Sequence, residues 1–103
     1  MILITGRIRT NTGNRAQIVA LCIAHCARSR DEPGCIAHNV HSDCEDPDLL
    51  VFFEQWADAQ AVQRHFALAQ SRAFLKAVTG LSLETPSLDI YRAEDASIAS
   101  FLG

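Results

Sequence analysis

Lys76 is the only lysine, and no stretch clusters basic residues; with a net charge of −3, this argues against a nucleic-acid phosphate backbone as partner. No segment approaches the roughly 20 apolar residues of a membrane span, so no membrane partner is expected. The first residues, Met1 to Thr5, lack a basic region and a cleavage site; they read as a strand rather than a signal peptide, and the cytoplasm is the expected compartment. No Cys-x-x-Cys pair is present, so Cys22, Cys26, Cys35 and Cys44 are expected as free thiols. A Gly-rich phosphate loop, a Walker lysine, a Gly-x-Ser-x-Gly elbow and a haem-attachment motif are all absent, which leaves no nucleotide or cofactor held by a familiar motif. Low-complexity tracts and internal linkers are lacking too.

What is there is a folding composition. Of 103 residues, 49% are hydrophobic and 20% charged. A chain of this length forms one domain and buries about two-thirds of its unfolded surface. Residues 1–95 are expected to form that domain and 96–103 a tail. The apolar fraction is high for so small a monomer, which favours burial against a second copy.

The hydrophobic pattern predicts the elements. Ile2, Ile4 and Ile8 alternate with Leu3, Thr5 and Arg7 as a strand ending near Arg9. Arg15 to Ser29 carries Ile18, Leu21 and Cys22 at helical spacing, with His25 at the edge of the stripe. Glu32-Pro33-Gly34 stops that helix. Cys35 to Ser42 reads as a strand with Ile36, His38 and Val40 on one face. Leu49 to Trp56 is apolar on both faces, as in a central or interface strand. Asp58 caps a helix through Ala69, with Val62, Phe66 and Ala69 inward and His65 on the flank. A further helix runs from about Ser71 to Thr79, closed by Gly80, before a last strand from Leu88 to Arg92. The order β-α-β-β-α-α-β is ferredoxin-like, an α+β fold with helices on one face of an antiparallel sheet. The other face is left bare, and an identical sheet would cover it, giving a homodimer.

The histidines are the candidates for chemistry, since imidazole exchanges protons near neutral pH. His25 and His65 can both reach a cleft between helices and sheet; His38 has aliphatic neighbours on its strand, and His41 points to the opposite face. Phe52, Glu54 and Trp56 share a face at the end of the third strand, where Trp56 can wall a flat aromatic ligand. Lys76 is a cation for the rim. Metal is not expected: His38 and His41 point to opposite faces, while Cys22, His25 and Cys26 lack a fourth ligand.

The run Ala24-His25 … Ser29-Arg30-Asp31-Glu32-Pro33-Gly34-Cys35, then His38 and Val40, then Phe53-Glu54-Gln55-Trp56 with Asp58, Ala61 and His65, resembles the antibiotic biosynthesis monooxygenase (ABM) superfamily over residues 2 to 93. The resemblance implies a dimeric α+β barrel with one pocket per subunit, as in cofactor-free quinol and polyphenol monooxygenases, haem-degrading enzymes and a processor of a phosphorylated signalling sugar. Haem-degrading members carry a first-strand asparagine and a Trp/His pair; Gly6, His65 and Leu75 stand here, which disfavours that activity. Polyketide monooxygenases share Trp56 and a strand-two histidine at His41, but three further positions are Phe52, Val62 and Lys76 here. His25 and His65 match positions commonly histidine in quinol-type and signal-processing members, and a second histidine found five residues later is Gln70.

Together these point to a cofactor-independent monooxygenase oxidising a quinol- or polyphenol-type aromatic molecule with O₂. His25 or His65 is the expected catalytic base, and His38, Phe52, Glu54, Trp56, Phe66 and Lys76 the substrate-binding residues. The alternatives are an isomerase on the same scaffold, or a non-catalytic dimeric binding module.

Overall fold

A computed structural model describes all 103 residues. The elements run β1 (Ile2–Arg9), α1 (Arg15–Arg30), β2 (Cys35–Ser42), β3 (Leu49–Trp56), α2 (Ala59–Ala67), α3 (Ala69–Leu81), β4 (Ser87–Arg92) and a short 3₁₀ turn at Ile98–Phe101. The strands form one antiparallel sheet in the order β2-β3-β1-β4. This is the ferredoxin-like α+β arrangement that the hydrophobic pattern predicts.

Strand periodicity divides the two faces. Ile2, Ile4 and Ile8 of β1 and Leu50, Phe52, Glu54 and Trp56 of β3 are buried beneath the helices. Two apolar clusters result: Ile18, Cys22, Cys26, Ile8, Leu50, Phe52 and Val78 join α1 and α3 to the sheet, while Ile2, Ile4, Trp56, Ala61 and Val62 join α2 to the opposite end. On the other face, Leu3 stands opposite Tyr91, and Phe53 lies between Thr5 and Asn39. Phe53 and Tyr91 are exposed there.

Several local details depart from the sequence expectation. β2 carries a bulge between Cys35 and Ala37. The extra residue, Ile36, is thrown out and is 57% exposed, so His38 and Val40 share the inner face without it. Gly80 does not end α3; the ladder continues to the Ser82 N–H donating to Val78 O, because partly buried Leu81 packs on the core. The chain breaks instead at extended Leu68, which makes α2 short and leaves Ala69 exposed at the start of α3. Asp58 caps α2 as expected, accepting from the Ala61 N–H at 2.9 Å.

The Pro33-Gly34 step sets the path from α1 into β2. Gly34 has φ +84°, and a Cβ there would stand 2.6 Å from the Ala61 Cβ. Its carbonyl accepts from the Ala57 N–H at 2.8 Å, tying the start of β2 to the end of β3. Glycine is needed for both the conformation and the close approach of α2.

Candidate active site

Three histidines meet where the two apolar clusters adjoin. His25 from α1, His38 from β2 and His65 from α2 have ring centroids 5.1 to 5.5 Å apart, and all three are buried. His25 stacks flat on Phe74 at 4.0 Å. The inward turn of His65 departs from its expected place on the flank: Ala61, Val62 and His65 form the buried face of α2, and Phe66 is displaced to the cavity mouth, 39% exposed. His25 likewise lies inside rather than at an edge.

Each ring has a distinct set of partners. His65 Nδ1 lies 2.9 and 3.1 Å from the two oxygens of Glu32, so it donates to that carboxylate and its Nε2 keeps the lone pair. His38 Nδ1 is 3.3 Å from Cys26 Sγ. Burial pushes the Cys26 thiol up to about 12, so it stays an S–H, which donates to Nδ1 in one imidazole tautomer and accepts from Nδ1–H in the other. His38 Nε2 lies 3.2 Å from Glu54 Oε1 but out of line for a hydrogen bond. Glu54 Oε1 also accepts from Trp56 Nε1 at 3.0 Å. Burial pushes the Glu54 carboxyl up, but His38, the Trp56 N–H and His65 outweigh it and the net shift is downward. Burial first, then the neighbouring His38 and His65, push His25 down to about 3, against an opposing pull from Glu54. At neutral pH the His25 ring is therefore uncharged.

A cavity of about 310 Å³ opens beside this cluster, between β1, β4 and α3. His25, Glu54, His65, Phe52, Phe66, Phe74, Leu75 and Leu88 line it, with Arg7, Ser71, Arg72 and Ser87 as its other polar groups. Of the expected substrate-binding residues, Phe52, Glu54 and Phe66 face this space. Three do not. Trp56 is fully buried in the α2 cluster, and its indole orients Glu54 from behind. His38 is fully buried behind His25. Lys76 is exposed on α3 and lies outside the lining. His41 is exposed on the uncovered face of the sheet.

Sequence reasoning missed Glu32 as a functional group, though it sits in the Glu-Pro-Gly-Cys step. A carboxylate at a chain break is ordinarily a solvated turn residue, and only the fold brings it to His65, 33 positions away. It also missed Ser71, which faces the cavity with a buried hydroxyl lacking a partner.

Comparison with known proteins agrees with this architecture. The family model described as antibiotic biosynthesis monooxygenase matches residues 1–77. An uncharacterised Synechocystis protein is 26% identical over 91 residues, covering 88% of this chain; the chain spans 62% of that relative's length. A Deinococcus radiodurans structure, of a candidate antibiotic biosynthesis monooxygenase, superposes with a TM-score of 0.89 at 22% identity, covering 94% of this chain and 96% of that one. A Bacteroides thetaiotaomicron protein of unknown function, described as a possible oxidoreductase, gives 0.82 at 22% identity, covering 87% and 94%. At such identities the structural likeness speaks for the fold. No helix is long and apolar enough to cross a membrane.

Proposed function

The chain belongs to the antibiotic biosynthesis monooxygenase family, and from that membership we propose that it oxidises a quinol- or polyphenol-type aromatic molecule with O₂, using proton transfer rather than an organic cofactor. The observation that carries this reading is the His65–Glu32 pair at the wall of an apolar cavity. Glu32 takes the Nδ1 proton and so fixes the tautomer, which leaves Nε2 as the natural acceptor for a phenolic proton. His25, pushed down to about 3, is too weak a base for that task and serves as a neutral hydrogen-bonding wall. The cavity volume of about 310 Å³ suits one or two aromatic rings among Phe52, Phe66 and Phe74.

The chemistry balances without an added reductant. His65 takes a phenolic proton, and the resulting quinolate gives one electron to O₂. The semiquinone and superoxide so formed combine at a ring carbon. That carbon then loses its hydrogen as the O–O bond breaks, and the outer oxygen leaves as water with the proton returned by His65. One quinol and one O₂ become one hydroxyquinone and one water. Apolar walls keep bulk water from quenching the peroxide stage. The uncovered sheet face, with Leu3, Phe53 and Tyr91, supports pairing with a second copy as a homodimer.

The test is turnover of a hydroquinone by chelator-treated protein without flavin, in air and under nitrogen. Product in air alone, lost in His65→Ala, supports the reading. Equal product under nitrogen would move the chain to the isomerase alternative. Tight ligand binding without turnover in either atmosphere would move it to the non-catalytic one.

A further inference from the structure

His25, His38 and His65 come from three elements, yet one ring nitrogen of each lies within 4.8 Å of those of the other two. Hydrogen bonding leaves every ring a nitrogen to spare. His25 Nδ1 is buried without a partner, His38 Nε2 is buried with none in line and carries a lone pair in the tautomer whose Nδ1–H faces Cys26 Sγ, and Glu32 takes Nδ1 of His65 and frees its Nε2. A buried polar atom left without a partner loses its hydration with nothing to replace it. Two such nitrogens in one cluster, with a third lone pair converging, are what a shared cation would satisfy.

We propose that His25, His38 and His65 bind one divalent first-row transition ion, of the zinc, iron, nickel or copper class that imidazoles favour. The surroundings have the chemistry such a site needs. Glu32 behind His65 is the carboxylate partner that orients a ligating imidazole. Glu54, 3.2 Å from His38 Nε2, adds negative charge and an oxygen beside the rings. His25, Glu54 and His65 line the cavity, so the remaining position of the ion opens onto it. Metal–nitrogen bonds of about 2.1 Å place tetrahedral ligand atoms about 3.4 Å apart. The present ligand atoms lie within 4.8 Å of one another, so the rings draw together on binding to reach that value.

This goes beyond the metal-free reading and stands against one part of it, because an ion on His65 Nε2 occupies the lone pair that would accept the phenolic proton. Loading is therefore expected to suppress quinol turnover rather than support it.

The experiment titrates the chelator-treated full chain with Co²⁺, whose visible absorption reports nitrogen ligation, and displaces it with Zn²⁺. One saturating equivalent is expected, with affinity lowered roughly 10–100-fold in Glu32→Gln and lost in His25→Ala. A histidine variant that unfolds is replaced by ¹⁵N imidazole spectra of the unsubstituted protein. Addition of Zn²⁺ should move the nitrogens of His25, His38 and His65 and leave exposed His41 in place. Absence of saturable binding by the folded chain, parental affinity in Glu32→Gln, or shifts confined to His41 would each overturn the site. Oxygen uptake by the chelator-treated protein tests the quinol reading separately, so either idea can fail alone.

Discussion

Replacing Gly34 by alanine puts two independent strains on the joint between α1, β2 and α2. The residue has φ +84°, a conformation that costs a residue bearing a Cβ about 1–2 kcal/mol. The added methyl would stand 2.6 Å from the Ala61 Cβ, far inside van der Waals contact, and overpacking of that kind costs about 1–3 kcal/mol. Alanine also lowers the entropy of the unfolded chain, which returns about 0.4–1 kcal/mol. The net loss is about 3 kcal/mol, within a range of about 1–5 kcal/mol. For a domain of this size, each kcal/mol moves Tm by roughly 4–8 °C, so a fall of roughly 10–25 °C is expected. Thermal and urea denaturation followed by circular dichroism read it directly. Ala61→Gly isolates the overlap: in the double variant Gly34→Ala/Ala61→Gly the methyl clash is gone and only the backbone cost remains. A favourable coupling of about 1–3 kcal/mol between the two sites is therefore expected from the cycle. A Gly34→Ala protein with the parental Tm, or zero coupling to position 61, would refute the reasoning about this joint.

Three further outcomes follow from the same geometry. Glu32→Gln keeps the shape of the residue but removes the charge behind His65, so quinol turnover should fall by roughly 10²-fold or more, with Tm nearly unchanged; stopped assays and a melting curve separate the two. Phe53→Glu places a charge at the centre of the uncovered sheet face and should convert the proposed homodimer to monomers in sedimentation velocity, while leaving the fold intact by circular dichroism. His25 has an ordinary value of 6.5 and a folded value of about 3, so the unfolded chain binds the extra proton between those limits. Its contribution to stability is complete above pH 6.5 and declines as pH falls toward 3. In chelator-treated protein, urea denaturation at pH 5 against pH 7.5 should show a loss of about 2 kcal/mol. That loss should shrink in His25→Gln, with His38, His65 and Glu54 still facing the position.

The strand and helix pattern was legible because binary periodicity decides it. Ile2, Ile4 and Ile8, and then Phe52, Glu54 and Trp56, declare their faces by alternation, and the element order follows. The site was less legible because it depends on where side chains from distant segments converge. His65 reads as a flank residue by spacing alone, yet the short α2 turns it inward and Phe66 outward. Trp56 looks like a ligand wall at a strand end, but α2 covers it and leaves the indole as a prop for Glu54. Ile36 follows strict alternation in sequence, and only the bulge after Cys35 takes it off the inner face. No spacing motif joins His25, His38 and His65, since they are contributed by two helices and a strand. Their convergence appears only once β2 and α2 are folded against α1.

The central claim is that the His65–Glu32 pair in its apolar cavity drives direct oxidation by molecular oxygen. Its most direct measurement is the fate of label from ¹⁸O₂ in the first turnovers of hydroquinone by chelator-treated protein. One labelled oxygen per hydroxyquinone and one labelled water are expected, with both lost in His65→Ala. Product carrying no label, or label incorporated equally well without His65, would contradict it.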